Sequence, residues 1–525
     1  MLHLELLVGL FLAAVILSAL ARRIGAPYPV FLALGGAVLA FVPIASFTLP
    51  PEVALALFVA PILLDAAYDA SLRDLKDNWM PLAGLVIFAV GLTTLAVAVV
   101  TRWLIPEMPW APAIALGAVV APPDAVAATA VLRQLKPPHR ILTILEGESL
   151  LNDASALLIY RLAVGAVAMD GFSAATVAPA FLLGVAGSLV AGPALAWLML
   201  QLMDRVRHVP TAIILQFVTT FMVWILAEQL GLSGVLTVVS YAMVLAQTGP
   251  ARTPARMRIP TYAVWETVIF ALNIFAFIFI GLQLRPILDS LEAVDRGRYF
   301  MVAGAVLITV IVVRMAWHMP LNAVIRWRER HYGFHPPRPM LRPTIGSGLV
   351  ISWAGMRGIV SLAAALALPN GFPYRDLIVL TAFCVVLGTL VIQGLTLKPL
   401  LRALALRDDD PVGREVLSAR ERALQAGLSS FADDDSAVAK AVRLEFTAHL
   451  KLEEAEAHED AERGSHGDLH QRALDAARQA IIAMRTNHEI GDDAFHQIEQ
   501  ELDWLEMAGG TEKRADKDPT EAAPE

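Results

Sequence analysis

The sequence predicts an all-α polytopic membrane protein, with about 13 transmembrane helices, inverted repeats, two interrupted crossing helices and a cytoplasmic helical tail. Three observations support this fold class. Hydrophobic residues make up 57% of the 525 residues and charged residues 17%, against about 25% in a soluble domain. Thirteen apolar stretches approach the roughly 20 residues that a bilayer span needs. Basic residues concentrate in alternate loops.

The thirteen predicted spans are residues 2–21, 27–44, 51–68, 79–104, 111–132, 141–168, 172–203, 209–228, 232–247, 261–284, 299–325, 344–368 and 375–401. With the N-terminus outside, the loops after odd-numbered spans carry seventeen Lys and Arg residues, and the opposite loops carry four. Cytoplasmic loops are enriched in these residues. The bias predicts an outside N-terminus and a cytoplasmic C-terminal tail. The first stretch lacks the flanks of a signal peptide, so it is predicted to be a retained span.

Charge divides the chain into two regions. Residues 1–407 have a net charge of +8 and form the predicted transmembrane domain. Residues 408–525 have a net charge of −16. Apolar residues at helical spacing predict a helical tail over 408–509, and the polar residues 510–525 are predicted to be disordered.

The fifth span contains Pro122, Pro123 and Asp124 in succession. Proline removes a backbone donor and disfavours helical geometry in the residue before it. This span is therefore predicted to break near its middle, with Asp124 at the break. Irregular backbone at this depth is tolerable only where it faces protein or water, and it is typical of ion sites in secondary transporters.

The sixth span carries polar residues in two neighbouring helical stripes. The first stripe comprises Glu146, Ser149 and Asp153. The second comprises Glu148, Asn152 and Ser155. Ionisable residues inside a bilayer are candidates for a functional site, with a structural ion pair as the alternative. One stripe can supply ion ligands while the other contacts a neighbouring helix; no role is assigned to Glu148.

Further intramembrane polar residues lie in other spans. Asp65 lies near the end of the third span, and Glu266 and Asn273 share one face of the tenth. Arg357 lies among glycines in the twelfth span and needs an acidic partner, for which Glu146 is the expected residue.

The fifth and twelfth spans both look interrupted and stand seven spans apart, so they are expected to run antiparallel and cross at the site. Charges such as Asp124 and Arg357 could offset the opposed half-helix dipoles there.

Four segments resemble the sodium/proton exchanger family of monovalent cation:proton antiporters: "PPDAVAATAV" at 122–131, "EGESLLNDASALLIY" at 146–160, "WETVIFALNIFAFIFIGLQL" at 265–284 and "GMRGIVSLAAALALP" at 355–369. The resemblance covers nearly the whole membrane region. It implies thirteen spans, an inverted repeat and a homodimer that works by elevator-like alternating access in a bacterial inner membrane. No cofactor and no nucleic-acid partner are expected.

The resemblance also implies roles for individual residues. Asp153 would bind either the cation or protons, and the cation would be held by Asp153, Asp124 and Ser149. The full set of expected ion- or proton-binding residues is Asp153, Asp124, Ser149, Asn152, Pro123 through its carbonyl, and Asp65. Asn152 would hold the broken fifth span through Asp124.

Other implied roles lie around this set. Asp65 stands where many members have a glutamate near the site, and Glu146 would pair structurally with Arg357. This chain has Pro123 where many members have a hydroxyl residue, so no hydroxyl lies beside Asp124.

The expected mechanism is competition between ions. Burial favours the protonated form of the Asp153 carboxyl, whereas bound Na⁺ or K⁺ favours the ionised form. The resemblance implies electroneutral exchange of one cation per proton, because family members with Asn-Asp at this position, as in Asn152-Asp153, exchange electroneutrally and those with Asp-Asp do not. Exchange of K⁺ for H⁺ is the alternative within exchangers. An intramembrane enzyme is disfavoured because no H-E-x-x-H motif is present, and a channel because no filter-like loop is.

Overall fold

A computed structural model describes residues 2–24, 26–42, 50–132, 137–168, 174–292, 294–333, 343–406, 411–434, 436–457 and parts of 472–505. Helices account for all of its regular elements. The first half of the chain contains α1 Leu2–Ile24, α2 Tyr28–Leu39, α3 Pro51–Ala54, α4 Ala60–Asp69, α5 Leu72–Asp77, α6 Trp79–Ala83, α7 Val90–Leu104, α8 Trp110–Val120, α9 Ala125–Leu132, α10 His139–Ala168 and α11 Ala174–Met203. Short π-helical turns, Leu55–Val59 and Gly84–Ala89, join α3 to α4 and α6 to α7.

The second half contains α12 Val209–Gln229, α13 Gly234–Arg252, α14 Ala255–Leu282, α15 Leu284–Ser290, α16 Arg296–Tyr332, α17 Ile345–Trp353, α18 Ile359–Leu366, α19 Arg375–Leu404, α20 Pro411–Ser429 and α21 Ala437–Ala457. Within the described ranges, nine helical segments are long and apolar enough to cross a membrane. They correspond to the predicted spans four to eleven and thirteen. The all-helical membrane fold is thus confirmed, while the count of thirteen stays a prediction.

Two of the remaining predicted spans are a short helix and a divided one. The second is the 12-residue α2, and the twelfth is divided into α17 and α18, of nine and eight residues. A helix rises 1.5 Å per residue, so neither half crosses a bilayer of about 30 Å alone.

Two apolar clusters fill the interior of the membrane region. The larger joins α2, α8, α9 and the second part of α14 to the group α16–α19. The smaller joins α4 to α11–α14, and α10 contributes Leu150 and Ala154 to it. Helix α10 therefore lies between the two groups of helices.

Glycine permits the closest helix contact in the first group. Gly36 of α2 and Gly281 of α14 face each other so closely that a β-carbon on either would overlap the backbone of the other helix. Small residues allow such approach between membrane helices, where dispersion and hydrogen bonding replace the hydrophobic effect as the driving force.

The chain divides into two compact units, Met1–Asp409 and Asp410–Glu525. Helices α20 and α21 lie in the second unit, in the region expected to be a helical tail. There Phe431 and Phe446 meet edge to face, with ring centroids 6.4 Å apart. The expected disordered segment 510–525 lies outside the described residues.

Candidate functional site

The predicted break in the fifth span separates α8 from α9. Helix α8 ends at Val120, four residues follow without helical hydrogen bonding, and α9 begins at Ala125. Pro122 and Pro123 occupy this gap. Neither has an amide hydrogen, so neither can donate the hydrogen bond that would continue the helix. The break leaves carbonyl groups at the end of α8 and amide groups at the start of α9 without partners inside either helix.

A second break, over residues 354–358, separates α17 from α18. It contains no proline, and Gly355 and Gly358 flank Met356 and Arg357. Both interrupted helices were predicted from the sequence and both are confirmed in the structure. Pro138, beyond α9, and Thr344, before α17, line one cavity of about 160 Å³, so the two interrupted helices run in opposite directions.

The two breaks cross and are joined by hydrogen bonds. The amide of Asp124 donates to the carbonyl of Met356 at 2.6 Å. The guanidinium of Arg357 donates to the carbonyls of Val120 at 3.0 Å and Ala121 at 3.1 Å, and also to the carbonyl of Gly355. Arg357 is only 1% exposed. It therefore places its charge at the negative, C-terminal end of α8, which it stabilises.

Asp124 occupies the opposite electrostatic position. Its Oδ1 atom accepts a hydrogen bond from the amide of Val126 at 2.9 Å, in the first turn of α9. A β-carbon on Gly358 would overlap the Asp124 carboxylate, so the carboxylate also lies against the start of α18. A negative charge between two helix N-termini is favourable. Asp124 and Arg357 thus lie where they offset the opposed half-helix dipoles.

Helix α10 brings three of the predicted site residues to this crossing. The hydroxyl of Ser149 accepts from the amide of Ala125 at 3.2 Å. The Nδ2 atom of Asn152 donates to the carbonyl of Pro123 at 3.3 Å. Asn152 therefore contacts the broken span as expected, but through Pro123 instead of Asp124.

Asp153 lies beside these residues, and its carboxylate is within electrostatic range of Asp124. It is 6% exposed. No hydrogen bond to its side chain occurs among the residues that the structure describes. Its carboxylate is therefore the acid of this group that is not engaged in holding a helix end.

The buried ion pair of the crossing differs from the predicted one. Glu148, to which no role was assigned, forms two hydrogen bonds with Arg314 of α16, at 2.5 and 2.7 Å. Arg357 instead uses its guanidinium on backbone carbonyls, and the expected pair of Glu146 with Arg357 is not among the ion pairs of the described chain. The prediction placed the acid two residues too early and the base on the wrong helix.

Arg314 was not among the predicted site residues, although the sequence contains a signal for it. It is a single arginine within the apolar eleventh span, and an ionisable residue inside a bilayer is itself a signal. Besides Glu148, Arg314 donates to the carbonyls of Ile351 and Ser352, each at 3.1 Å. It thereby satisfies the last turn of α17, as Arg357 does for α8.

The remaining predicted site residues lie away from the crossing of the two interrupted helices. Asp65, Glu266 and Asn273 line a cavity of about 670 Å³, together with Tyr68 and Tyr262, whose hydroxyls are 3.2 Å apart. The cavity also touches the C-terminal end of α13. Neither Asp124 nor Asp153 lines it, so the structure does not join Asp65, Glu266 and Asn273 to the crossing.

A second cavity, of about 1140 Å³, lies at the opposite end of α13. It reaches Ala154, which follows Asp153 in the chain. Arg161 of α10 crosses it to meet Glu228 of α12 at 2.6 and 2.7 Å. Of these two cavities, the larger reaches the residue next to Asp153, and the smaller has no lining residue from α10.

Comparison with known proteins agrees with this geometry. The family described as "Sodium/hydrogen exchanger, transmembrane" matches this chain over residues 9–403. The chain is 31% identical to an uncharacterised Na⁺/H⁺ exchanger of Mycobacterium tuberculosis, over 96% of each chain. It is 27% identical to the sodium, potassium, lithium and rubidium/H⁺ antiporter of Bacillus subtilis, over 88% of this chain and 71% of that protein.

The fold is similar to that of the sodium proton antiporter MjNhaP1 from Methanocaldococcus jannaschii at pH 8. The TM-score is 0.56 at 17% identity, and the similarity covers 77% of this chain and 99% of the antiporter. At this identity the likeness shows the fold alone. Together with the match over residues 9–403 and the relative at 31% identity, it leads to one conclusion: this chain belongs to the sodium/hydrogen exchanger family.

Proposed function

We propose that this protein is a secondary active antiporter that exchanges a monovalent cation, Na⁺ first, for H⁺ across the membrane. The observation that carries the proposal is the position of Asp153. It is a buried carboxylate with no hydrogen bond among the described residues, beside the crossing of two interrupted helices. Such a group can hold either a proton or a metal ion, and its burial makes the uncompensated charge costly.

Some of the surrounding residues stabilise the ends of the interrupted helices, and others are available to bind the ion. Arg357 and Arg314 neutralise the carbonyl ends of α8 and α17, and Asp124 neutralises the amide ends. These helix ends are thereby stabilised by protein side chains and do not need the transported ion. Asp153 is left to exchange its proton for a cation, with Ser149 and the carbonyl of Pro123 as further oxygen ligands.

One exchangeable carboxyl predicts one proton for one cation. Asn152 is neutral and Asp124 is engaged at two helix N-termini, so neither adds a second proton. Exchange is then electroneutral and does not respond to membrane voltage. No covalent step is involved, and the activity is transport.

The loop charges give the proposed orientation in a bacterial cytoplasmic membrane. With the N-terminus outside, the cavity lined by Asp65 and Glu266 faces the cytoplasm, because it lies at the ends of spans followed by basic loops. The larger cavity at Arg161 then faces outward. Asp65 and Glu266 would attract cations on the cytoplasmic side, and the proposal includes a homodimer with alternating access from the two cavities.

Exchange of K⁺ for H⁺ is the second candidate, because the Bacillus subtilis relative is named for sodium, potassium, lithium and rubidium. Proteoliposomes with an internal pH dye, given Li⁺, Na⁺, K⁺ or Rb⁺ outside, decide between the ions. Wild-type protein should move protons on addition of Na⁺, and Asp153→Asn should not. Full exchange by Asp153→Asn contradicts the assignment, and a dependence on voltage contradicts the one-to-one ratio.

A further inference from the structure

The fourth span contains a π-helical turn, Gly84–Ala89, between α6 and α7. A π-helical turn holds more residues than an α-helical turn, and single turns of this kind inside α-helices are frequent at functional sites. Because one residue corresponds to about 100° of rotation in an α-helix, the turn changes which neighbours α7 faces relative to α6. The apolar character of the span does not explain this feature.

Two side chains from other helices donate hydrogen bonds to this turn. The indole Nε1 of Trp317, in α16, donates to the carbonyl of Gly84 at 2.9 Å, and its ring stacks on that of Phe88 with centroids 5.5 Å apart. The hydroxyl of Ser155, in α10, donates to the carbonyl of Val86 at 3.0 Å. Within the hydrocarbon region, hydrogen-bond partners for the backbone have to come from the protein. The turn is thereby bound to α10 and α16 at once.

Ser155 also contacts the part of α10 that carries the site. Its hydroxyl donates to the carbonyl of Asn152 at 2.9 Å, so its single hydrogen is shared between α10 and the fourth span. Asp153 is the next residue and stands two residues before Ser155. Because the two residues lie within one helical turn, a shift of Ser155 against Val86 would displace Asp153 as well.

Apolar contacts on either side of the π-helical turn agree with this alignment. Val90, which follows the turn, packs with Ala156 of α10 and with Ala121 in the break of the fifth span. Leu82, which precedes the turn, lies so close to Gly147 of α10 that a β-carbon there would crowd its side chain. Helix α10 therefore contacts the fourth span before and after the turn, and the rotation at the turn aligns both contacts with α10.

We propose that Ser155 is a positioning residue for cation exchange. Its hydrogen bond to the π-helical turn fixes α10 against the fourth span, and so sets the place of the Asp153 carboxylate beside the crossing. The inference rests on the proposed function and adds a residue that is not itself an ion ligand. Trp317 binds the same turn from α16, so loss of either hydrogen bond should weaken cation binding in the same way.

Three substitutions test the role in proteoliposomes with an internal pH dye. Ser155→Ala removes the hydroxyl, Ser155→Thr keeps one, and Trp317→Phe removes the indole donor but keeps an aromatic ring. Ser155→Ala should raise the KM for Na⁺ about three- to tenfold, the effect of one neutral hydrogen bond, with a smaller change in the maximal rate per inserted protein. Ser155→Thr should restore the KM, and Trp317→Phe should raise it.

A double-mutant cycle tests whether the two hydrogen bonds act as one unit. The protein with both Ser155→Ala and Trp317→Phe should have a KM below the product of the two single effects, because the first loss already releases the turn.

The matched control is Thr309→Val in α16, where the hydroxyl donates to the carbonyl of Ala305 in its own helix. Its KM should match that of the wild type. Should Ser155→Ala fail to fold, Ser155→Cys, whose thiol is a weak donor, makes the same comparison.

A purely structural role predicts other results. The inference is overturned if folded Ser155→Ala keeps the wild-type KM and loses only maximal rate, or if Ser155→Thr is as impaired as Ser155→Ala. Multiplicative effects in the double variant would overturn the shared action with Trp317.

Failure of the proposed function looks different, because the wild-type protein would then move no protons with Li⁺, Na⁺, K⁺ or Rb⁺. The Tm of the full chain in detergent, in chloride salts of these cations against choline chloride, still reports cation binding. A cation-specific rise that is smaller in Ser155→Ala and restored in Ser155→Thr would refute antiport while supporting the positioning role. An equal rise in all three proteins, or no rise in any, would overturn that role.

Discussion

Glu148 and Arg314 stand 166 residues apart in the chain and form a two-pronged ion pair that is almost fully buried, with side chains 1% and 3% exposed. The same guanidinium holds the last carbonyls of α17. The pair therefore ties α10, which carries Asn152 and Asp153, to the half-helix that precedes Arg357. Its place in the structure makes it a support for the geometry of the crossing.

Removing one member of this pair should destabilise the protein strongly. Glu148→Gln leaves the Arg314 charge buried without its counter-ion, and breaking a buried pair in this way costs about 3–5 kcal/mol. We expect a large fall in Tm and loss of exchange.

Glu107→Gln is the control for this substitution, because its pair with Arg298 is exposed and worth about 1 kcal/mol or less. Equal changes in Tm for the two variants would contradict the structural role.

Gly358→Ala should impair exchange by displacing Asp124. The added methyl group would overlap the Asp124 carboxylate, which caps the start of α9. Loss of such a cap costs about 1 kcal/mol, and a displaced carboxylate also alters the field at Asp153. We expect the exchange rate to fall about tenfold or more while the protein remains folded.

Gly304→Ala, in α16, gives the comparison for Gly358→Ala. A β-carbon at Gly304 meets no atom within 4 Å among the described residues. Its exchange rate and Tm should match those of the wild type. A Gly358→Ala protein with wild-type rates would show that Asp124 need not stay where the structure places it.

The ion pair of Arg161 with Glu228 should affect transport more than stability. Both side chains are partly exposed, so the pair is worth about 1 kcal/mol or less. It nevertheless joins α10 to α12 across the larger cavity. If α10 moves against α12 during exchange, Arg161→Gln should change the KM for the cation up to about fivefold, with little change in Tm.

A charge exchange tests whether the pair itself is responsible. The double variant Arg161→Glu with Glu228→Arg restores an ion pair at this position, and its KM should return toward the wild-type value. Unaltered transport in each single variant would show that the pair does not bear on the exchange cycle.

The acidic tail should regulate exchange without supplying the site. All site residues lie in the unit Met1–Asp409, which is compact by itself. We therefore expect a protein lacking residues 408–525 to exchange cations for protons, with a shifted dependence of the rate on pH. An unchanged pH profile would remove the tail from regulation, and complete loss of exchange in a folded, membrane-inserted protein would make it part of the machinery.

Much of the crossing could be predicted because its causes are local. Pro122 and Pro123 break a helix wherever they occur, and glycines beside Arg357 permit irregular backbone. The two breaks lie in spans that stand seven apart, an odd number, and this fixes their opposite direction. Asp153, Asn152 and Ser149 face the crossing because helical spacing places them near one another on α10.

The ion pairs could not be predicted in the same way. Which acid meets which base depends on how far each helix is rotated and tilted, and packing against neighbours sets both. Spacing alone could not distinguish Glu146 from Glu148, which stand on neighbouring stripes. Spacing also did not indicate that Asp65 and Glu266 line a cavity to which Asp124 and Asp153 do not contribute.

The hydrogen bonds from Arg357 to Val120 and Ala121 also constrain how the protein can be assembled. The carbonyl end of α8 enters the membrane long before its partner, which lies about 237 residues later in the chain. Until the twelfth predicted span is synthesised and inserted, those carbonyls and the amide of Asp124 need water or another helix. A nascent chain that stops before Arg357 therefore holds Asp153 but no finished ion site, and transport competence is acquired late in biogenesis.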